Sequence, residues 1–218
     1  MLRKILSLAL NSNPSYIGIY DDVLPSHECE RLISLFEKSP HAEGKCYAEG
    51  TAKVNHDYKK CIELFDGKFS KGDVITNIFS PYLREGIIKY KKEYPVLDID
   101  TMGSWKCDDV YTFKKYENDD DGFKIWHTEQ TKGNPNRVLV WMLYLNNAKS
   151  GTDFLHTNNI KAKEGRLIIW PASFTHTHRS QKNKGLKYIA SGWITLRGNG
   201  ISMLDLECDL IKKSLTYT

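Results

Sequence analysis

The sequence has few cysteines and no paired cysteine motif. The five cysteines are scattered, odd in number and never arranged as C-x-x-C: Cys29, Cys46, Cys61, Cys107 and Cys208. This pattern argues against a disulfide framework and against a zinc knuckle, and it is typical of a chain in a reducing compartment. We therefore expect a cytoplasmic protein.

Long hydrophobic runs and a strong charge of one sign are also missing. No segment approaches the roughly 18 apolar residues that span a bilayer. The apolar run at 5–10 is short and has no small-x-small cleavage site after it, so we interpret it as a first strand or short helix. The net charge of +4 is mild and comes mostly from dispersed lysines. We expect no membrane partner and see no indication of nucleic-acid binding.

The length fits one large domain. The chain has 218 residues, of which 40% are hydrophobic, which is enough for a substantial core. The character of the sequence changes near residue 100, from a mixed segment with helices to a β-rich segment. We expect a single domain over 1–218, with helical support and a loop in 1–100, a β core in 101–200 and a tail in 201–218.

The first half carries two helical patterns. A strand is predicted over 16–20, followed by a helix that begins near Ser26, whose hydroxyl could cap it. A second helical pattern covers 75–94, with Pro81 as a kink or break. The segment 41–72 is rich in Gly, Lys and Asp with little periodicity, so we expect a long loop or irregular hairpin, and such loops are often functional.

The second half is predicted to be β-structure. Apolar, β-branched and aromatic runs are separated by turn signals, as in buried strands. These runs cover 110–116, 137–146, 166–170 and 186–196. Strands at this spacing indicate a sandwich or barrel with the helices packed on one face. The predicted fold class is therefore α+β, mainly β.

Two kinds of side chain in this half, histidine and glutamate, can hold a metal ion. His127 and Glu129 form an H-x-E step, and in a strand residues i and i+2 point to the same side. A third ligand would come from another strand, where His176 and His178 are both candidates and share one face by the same rule. Two His and one carboxylate are the ligands of non-haem Fe(II) oxygenases. Zinc competes for such ligands, but the H-E-x-x-H helix motif of zinc hydrolases is absent.

A lone cation, Lys187, lies within the last apolar run. A buried ammonium is costly unless it is paired, so the pattern predicts an anionic partner for Lys187.

The order and spacing of these residues resemble the 2-oxoglutarate/Fe(II) dioxygenases, especially their prolyl 4-hydroxylase-like branch. The resemblance extends over about 17–196. Further similar features are 21–25 (DDVLP), Tyr116 eleven residues before His127, 144–146 (YLN), 151–154 (GTDF), Gly165 before an apolar strand, and Trp193 six residues after Lys187.

The resemblance implies a double-stranded β-helix, a jelly-roll-like barrel braced by the N-terminal helices. It implies His127, Glu129 and a distal His as Fe(II) ligands. Counting back from Lys187 selects His178, whereas counting forward from Trp170 also allows His176, so His178 is our assignment and His176 the alternative. Glu129 stands where the family usually has Asp, and the longer carboxylate can still ligate a metal.

The resemblance also implies roles around the metal. Lys187 would pair with the distal carboxylate of 2-oxoglutarate, and Tyr144 could donate a hydrogen bond to the same group. Tyr116 and Trp193 would line the pocket. The cofactors would be Fe(II), 2-oxoglutarate and O2, with ascorbate supporting activity.

The expected activity is hydroxylation of an unactivated C–H bond, with a peptidyl proline as the leading substrate and a peptide or protein as the partner. One alternative keeps this chemistry and acts on a free amino acid, a nucleobase or another small molecule. A second alternative is a β-barrel that binds or assembles without turnover. The segment 41–72, expected over the substrate mouth, would discriminate between the substrates.

Overall fold

The computed structural model describes residues 15–48, 51–64, 67–69, 72–98 and 105–196. The element predicted at 5–10 and the tail predicted at 201–218 lie outside these residues. Within the described part, no helix is long and apolar enough to cross a membrane.

The first helix, α1 (Ser26–Lys38), packs through apolar residues at helical spacing. Cys29, Leu32 and Phe36 are buried on one face, which is the periodicity that predicted the helix. The predicted cap is wrong: Pro25 occupies the N-cap position without a side-chain hydrogen bond. The Ser26 hydroxyl instead bonds to the Glu164 carboxylate.

The second helix, α2 (Val74–Glu93), continues through Pro81 without a break. The Asp73 carboxylate caps its first turn by accepting a hydrogen bond from the Thr76 amide at 2.6 Å. Side chains on both sides of Pro81, such as Phe79 and Leu83, are buried in the core. Tertiary packing therefore outweighs the lost backbone hydrogen bond and the steric penalty of proline, and the predicted break does not occur.

The strands lie mostly after residue 105. In chain order they are β1 (Gly18–Tyr20), β2 (His41–Glu43), β3 (Cys46–Ala48), β4 (Thr51–Lys53), β5 (Lys59–Lys60), β6 (Ile62–Leu64), β7 (Trp105–Tyr116), β8 (Gly122–Phe123), β9 (Arg137–Tyr144), β10 (Gly151–Phe154), β11 (Ile160–Lys161), β12 (Leu167–Pro171), β13 (His178–Ser180) and β14 (Lys187–Leu196). Short 3-10 helices cover Pro95–Asp98 and Phe174–His176.

A seven-stranded antiparallel sheet forms the larger layer. Its order is β1-β12-β9-β14-β7-β6-β2, so the three most apolar strands, β12, β9 and β14, lie side by side. One face packs on α1 and α2 through a core that includes Phe36, Phe79 and Phe113. The opposite face carries a second cluster that includes Tyr144, Trp170 and Trp193.

A three-stranded sheet, β11-β10-β13, covers that second face. Phe154 from β10 meets Trp170 from β12 edge-on, with ring centroids 5.5 Å apart. Two facing antiparallel sheets braced by helices form the double-stranded β-helix, and the predicted fold class is confirmed.

The segment 41–72 is more ordered than predicted. It contains β2 to β6, and β6 pairs with β7 in register Glu63 with Lys114. The periodicity was weak because these strands have only two or three residues each. Its strands β2 and β6 extend the large sheet. Strands β3 and β4 pair antiparallel with each other, in keeping with the irregular hairpin that was one of the two predicted forms.

Candidate active site

The H-x-E step lies on an irregular segment between β8 and β9, not on a strand as predicted. A two-bond bridge to β13 holds it. The His127 amide donates to the His178 carbonyl at 3.0 Å, and the His178 amide donates to the His127 carbonyl at 2.9 Å. The Glu129 amide donates to the Ala172 carbonyl at 3.2 Å. These long-range bonds position both side chains without regular strand pairing.

Three predicted metal ligands converge at this bridge. The nearer oxygen of Glu129, Oε1, lies 3.6 Å from His127 Nε2 and 3.8 Å from His178 Nε2. The three ligand atoms all lie within 4.8 Å of one another, which suits coordination of a single ion.

Backbone carbonyls fix the orientation of both imidazole rings. His127 Nδ1 donates to the Ile125 carbonyl at 3.1 Å, and His178 Nδ1 donates to the His176 carbonyl at 3.0 Å. In a neutral imidazole, a hydrogen bond donated by one ring nitrogen leaves the other with its lone pair, which is the form that binds a metal. Both Nε2 atoms face Glu129 Oε1.

His176 does not join this group. It ends the 3-10 helix Phe174–His176, so the strand rule that placed it beside His178 does not apply. Its two ring nitrogens bond to the Ser15 carbonyl at 2.8 Å and to the Thr175 hydroxyl at 2.9 Å. The structure brings His178, and not His176, to His127 and Glu129.

The second oxygen of Glu129 is occupied by two donors. Its Oε2 accepts hydrogen bonds from Trp193 Nε1 at 3.0 Å and from Arg137 Nη1 at 3.2 Å. The Arg137 guanidinium stacks on the Trp193 ring, 3.5 Å from its centroid, and its Nε lies 3.7 Å from Asp108. This arrangement leaves Oε1 as the oxygen directed at the imidazoles.

The protonation states suit metal binding. Burial opposes ionisation of Glu129, but its hydrogen bond to His127 and the nearby His127, His178 and Lys114 side chains hold its pKa well below the usual range. Burial, together with the neighbouring His127, lowers the pKa of His178 to about 3. At neutral pH the site therefore presents a carboxylate and a neutral imidazole.

Removal of one donor to Glu129 tests its role in positioning the carboxylate. Trp193→Phe keeps the ring and removes Nε1–H, so we expect the affinity for Mn(II) or Fe(II) to fall about 10- to 100-fold. Trp105→Phe is the matched control, because the buried Trp105 Nε1 donates to no described residue. Equal metal affinity of the two variants, measured by titration, would show that the Trp193 bond does not orient Glu129.

Lys187 is buried on the same sheet face, at the start of β14. It is 2% exposed, and its Nζ makes no ion pair or hydrogen bond with any residue in the described ranges. Its contact is with the face of the Tyr116 ring, 4.6 Å from the centroid. Burial lowers the pKa of Lys187 to about 8, which is the expected behaviour of a cation without an anionic partner.

The predicted pocket tyrosines are both buried. The Tyr144 and Thr152 hydroxyls share a hydrogen bond of 2.7 Å, and burial raises the pKa of Tyr144 to about 12. Tyr116 contacts Lys187. Trp193, predicted to line the pocket, packs in the same cluster and donates a hydrogen bond to Glu129.

Sequence reasoning missed Arg137, Thr152 and Lys114. Arg137 was interpreted only as the start of an apolar strand, and nothing in its local pattern indicates a carboxylate eight residues earlier. Thr152 lay within a turn motif. Lys114 could have been found, because it is two residues before Tyr116 on a predicted strand and therefore on the same face.

Residues 111–195 match the family model described as the 2OG-Fe(II) oxygenase superfamily. These residues include all three of the converging side chains, as well as Lys187. A comparison with curated proteins gives no match.

Solved structures share the fold at low sequence identity. The viral collagen prolyl hydroxylase from Paramecium Bursaria Chlorella virus-1, in complex with 2OG, is 19% identical, with 84% of this chain and 97% of that chain covered and a TM-score of 0.60. A Trichoplax adhaerens prolyl hydroxylase, in complex with a hypoxia inducible factor peptide fragment, is 14% identical, with 89% and 91% covered and a TM-score of 0.60. A Pseudomonas putida prolyl-4-hydroxylase is 13% identical, with 91% and 100% covered and a TM-score of 0.54.

The family match bears out the predicted class of enzyme, a 2-oxoglutarate-dependent oxygenase with Fe(II) as its metal and 2-oxoglutarate as its cosubstrate. The side chains fit both groups. Two imidazole nitrogens and one carboxylate oxygen form the facial ligand set of non-haem Fe(II). Lys187 is a buried cation without an anionic partner among the residues that the structure describes.

Proposed function

We propose that this enzyme hydroxylates a peptidyl proline, with His127, Glu129 and His178 as its Fe(II) ligands. Bound Fe(II) and 2-oxoglutarate supply the oxidising chemistry, in which 2-oxoglutarate loses CO2 to give succinate and O2 provides the oxygen added to the substrate. The observation that carries the metal assignment is the convergence of the three ligand atoms within 4.8 Å.

The residues around the ligands maintain this geometry. The carbonyls of Ile125 and His176 hold the two imidazoles with Nε2 directed at the metal position. Arg137 and Trp193 hold one oxygen of Glu129, so that the other is available to the metal. Such outer partners reduce the reorganisation that metal binding requires.

Lys187 is the proposed partner of the distal carboxylate of 2-oxoglutarate. Its ammonium is buried and lacks an anion among the described residues, so an arriving carboxylate would remove an unfavourable unpaired charge. Tyr116 packs against this ammonium. The Tyr144 and Thr152 hydroxyls lie on the same side of the large sheet and share one hydrogen bond, so the hydroxyl that accepts it can donate its own proton to the same carboxylate.

Two features support a peptide substrate. The similar structures include prolyl hydroxylases, one of them with a peptide. Exposed aromatic rings also lie close in sequence to the ligands: Trp126, 38% exposed, precedes His127, and Phe174 is 78% exposed. The Trp126 ring is stacked with Arg179, 4.4 Å from its centroid. Rigid aromatic surfaces of this kind suit peptide recognition.

A peptide panel tests the proposed substrate. We expect succinate release with Fe(II), ascorbate and 2-oxoglutarate to increase when a proline-containing peptide is added, with a mass gain of one oxygen on proline. The control is the same peptide with alanine in place of proline. Succinate release that no proline peptide increases above its alanine control would reject peptidyl proline and leave the oxygenase chemistry in place.

A further inference from the structure

Another lysine, the largely buried Lys114, lies on the face of β7 that borders the candidate active site. Side chains alternate along a strand, and Lys114 is two residues from Tyr116, which packs in the site-facing cluster. Its neighbour Phe113 packs in the helix-facing core. The Lys114 side chain is 13% exposed and extends from the same face of β7 as Tyr116, on the side of the proposed metal.

The only carboxylate within ion-pair distance of Lys114, among the described residues, is already shared. Glu63 lies opposite Lys114 in the strand register, with Oε1 at 4.0 Å from Lys114 Nζ. The same oxygen is 2.6 Å from the buried Lys59 ammonium. One carboxylate therefore serves two buried cations, and the short contact belongs to Lys59.

The environment leaves Lys114 incompletely neutralised. Burial, reinforced by the neighbouring Lys59, lowers the pKa of Lys114, although Glu63 and Glu129 act in the opposite direction. The other charges of the proposed site do not neutralise Lys114. The divalent metal and Lys187 carry three positive formal charges, which balance the three negative charges of the dianionic cosubstrate and Glu129. The pair of lysines around Glu63 retains one positive charge, and a buried charge without a full partner is unfavourable.

We propose that Lys114 binds a second carboxylate in the active-site pocket, separate from the carboxylate at Lys187. The balance of formal charge favours a carboxylate of the substrate, namely an acidic side chain or a free carboxyl terminus beside the target residue of the peptide. This assignment rests on the proposed function. The near carboxylate of 2-oxoglutarate has the same chemistry, and the experiment separates the two sources.

Acetate is the probe for this site. Enzyme loaded with Mn(II) is titrated with acetate, and paramagnetic relaxation of the acetate methyl protons reports binding close to the metal. We expect saturable relaxation in the wild-type enzyme and an affinity at least about tenfold weaker in Lys114→Met, because a charge-assisted hydrogen bond is lost. Lys114→Arg, which keeps the charge, should retain acetate binding.

Lys115→Met is the matched control. Lys115 is the next residue on β7, but its ammonium pairs with Glu37 at 2.9 Å and Glu117 at 2.6 Å, away from the site. This variant should bind acetate as the wild type does. Thermal unfolding of each variant verifies that the fold is intact. The acetate relaxation rates are compared only between variants that are folded.

The outcomes separate this proposal from the proposed function. Equal acetate affinity in wild type and Lys114→Met, or no saturable relaxation in the wild type, overturns the role of Lys114. Acetate binding that persists with saturating 2-oxoglutarate assigns the carboxylate to the substrate. Loss of acetate binding on adding 2-oxoglutarate, with weaker 2-oxoglutarate binding in Lys114→Met, assigns it to the cosubstrate. Failure of 2-oxoglutarate to bind at all contradicts the proposed function, while the acetate result still tests Lys114.

Discussion

Replacement of His178 by alanine is expected to abolish stable Fe(II) binding at neutral pH. His178 supplies one of the three proposed ligand atoms, and its Nε2 lies 3.8 Å from the Glu129 oxygen that would share the ion. Loss of a residue that only orients a ligand costs about 10- to 100-fold in metal affinity. Removal of a ligand itself should therefore exceed about 100-fold, measured by titration with Fe(II) under anaerobic conditions or with Mn(II).

His176→Ala provides the matched control for this prediction. His176 is two residues away and buried like His178, but its ring nitrogens bond to Ser15 and Thr175. It should lose stability and retain the metal affinity of the wild type. Stronger loss of metal from His176→Ala than from His178→Ala would contradict the ligand assignment.

Replacement of Lys187 by methionine is expected to weaken 2-oxoglutarate binding strongly and to leave metal binding unchanged. Removal of one partner from a buried ion pair costs about 3–5 kcal/mol, which corresponds to more than about 100-fold in affinity. In the free protein the lysine lacks a described anionic partner. The variant without cosubstrate should therefore be as stable as the wild type, or more stable, in thermal unfolding.

The pH dependence of 2-oxoglutarate affinity gives an independent test of Lys187. Burial lowers the pKa of the free lysine to about 8, and a bound carboxylate would raise it. The affinity should be full below about pH 8 and then fall about tenfold per pH unit as the free lysine loses its proton. Lys187→Met should lack this dependence, whereas Lys184→Met, at an exposed position, should retain it. A flat profile in the wild type would remove Lys187 from the cosubstrate site.

The β-rich half of the fold could be predicted because its strands carry continuous apolar runs. The runs at 137–146 and 186–196 became β9 and β14 with changes of only one or two residues at their ends. The short strands within 41–72 could not be predicted, because two or three residues carry no readable period. Two of them, β5 and β6, pair with β8 and β7, which are distant in the chain.

The candidate site was predicted in its residues but not in its local geometry. His127, Glu129 and His178 follow from residue type, order and resemblance. The actual path of the H-x-E segment depends on bonds to Ala172 and His178, and the choice between His176 and His178 depends on a 3-10 turn that strand periodicity cannot show. Arg137 and Trp193 are brought to Glu129 only by the folded sheet. Their hydrogen bonds to its carboxylate therefore could not be predicted from the sequence.

Succinate formation from 2-oxoglutarate by the wild-type enzyme and by His127→Ala is the most direct test of the metal site and its chemistry. The wild type should form succinate only when Fe(II), O2 and 2-oxoglutarate are all present. The His127→Ala variant, although folded, should form none above the rate of free Fe(II). Succinate formation by His127→Ala at the wild-type rate, or none by wild-type enzyme with bound Fe(II) and 2-oxoglutarate, would show that His127 is not part of an oxygenase metal site.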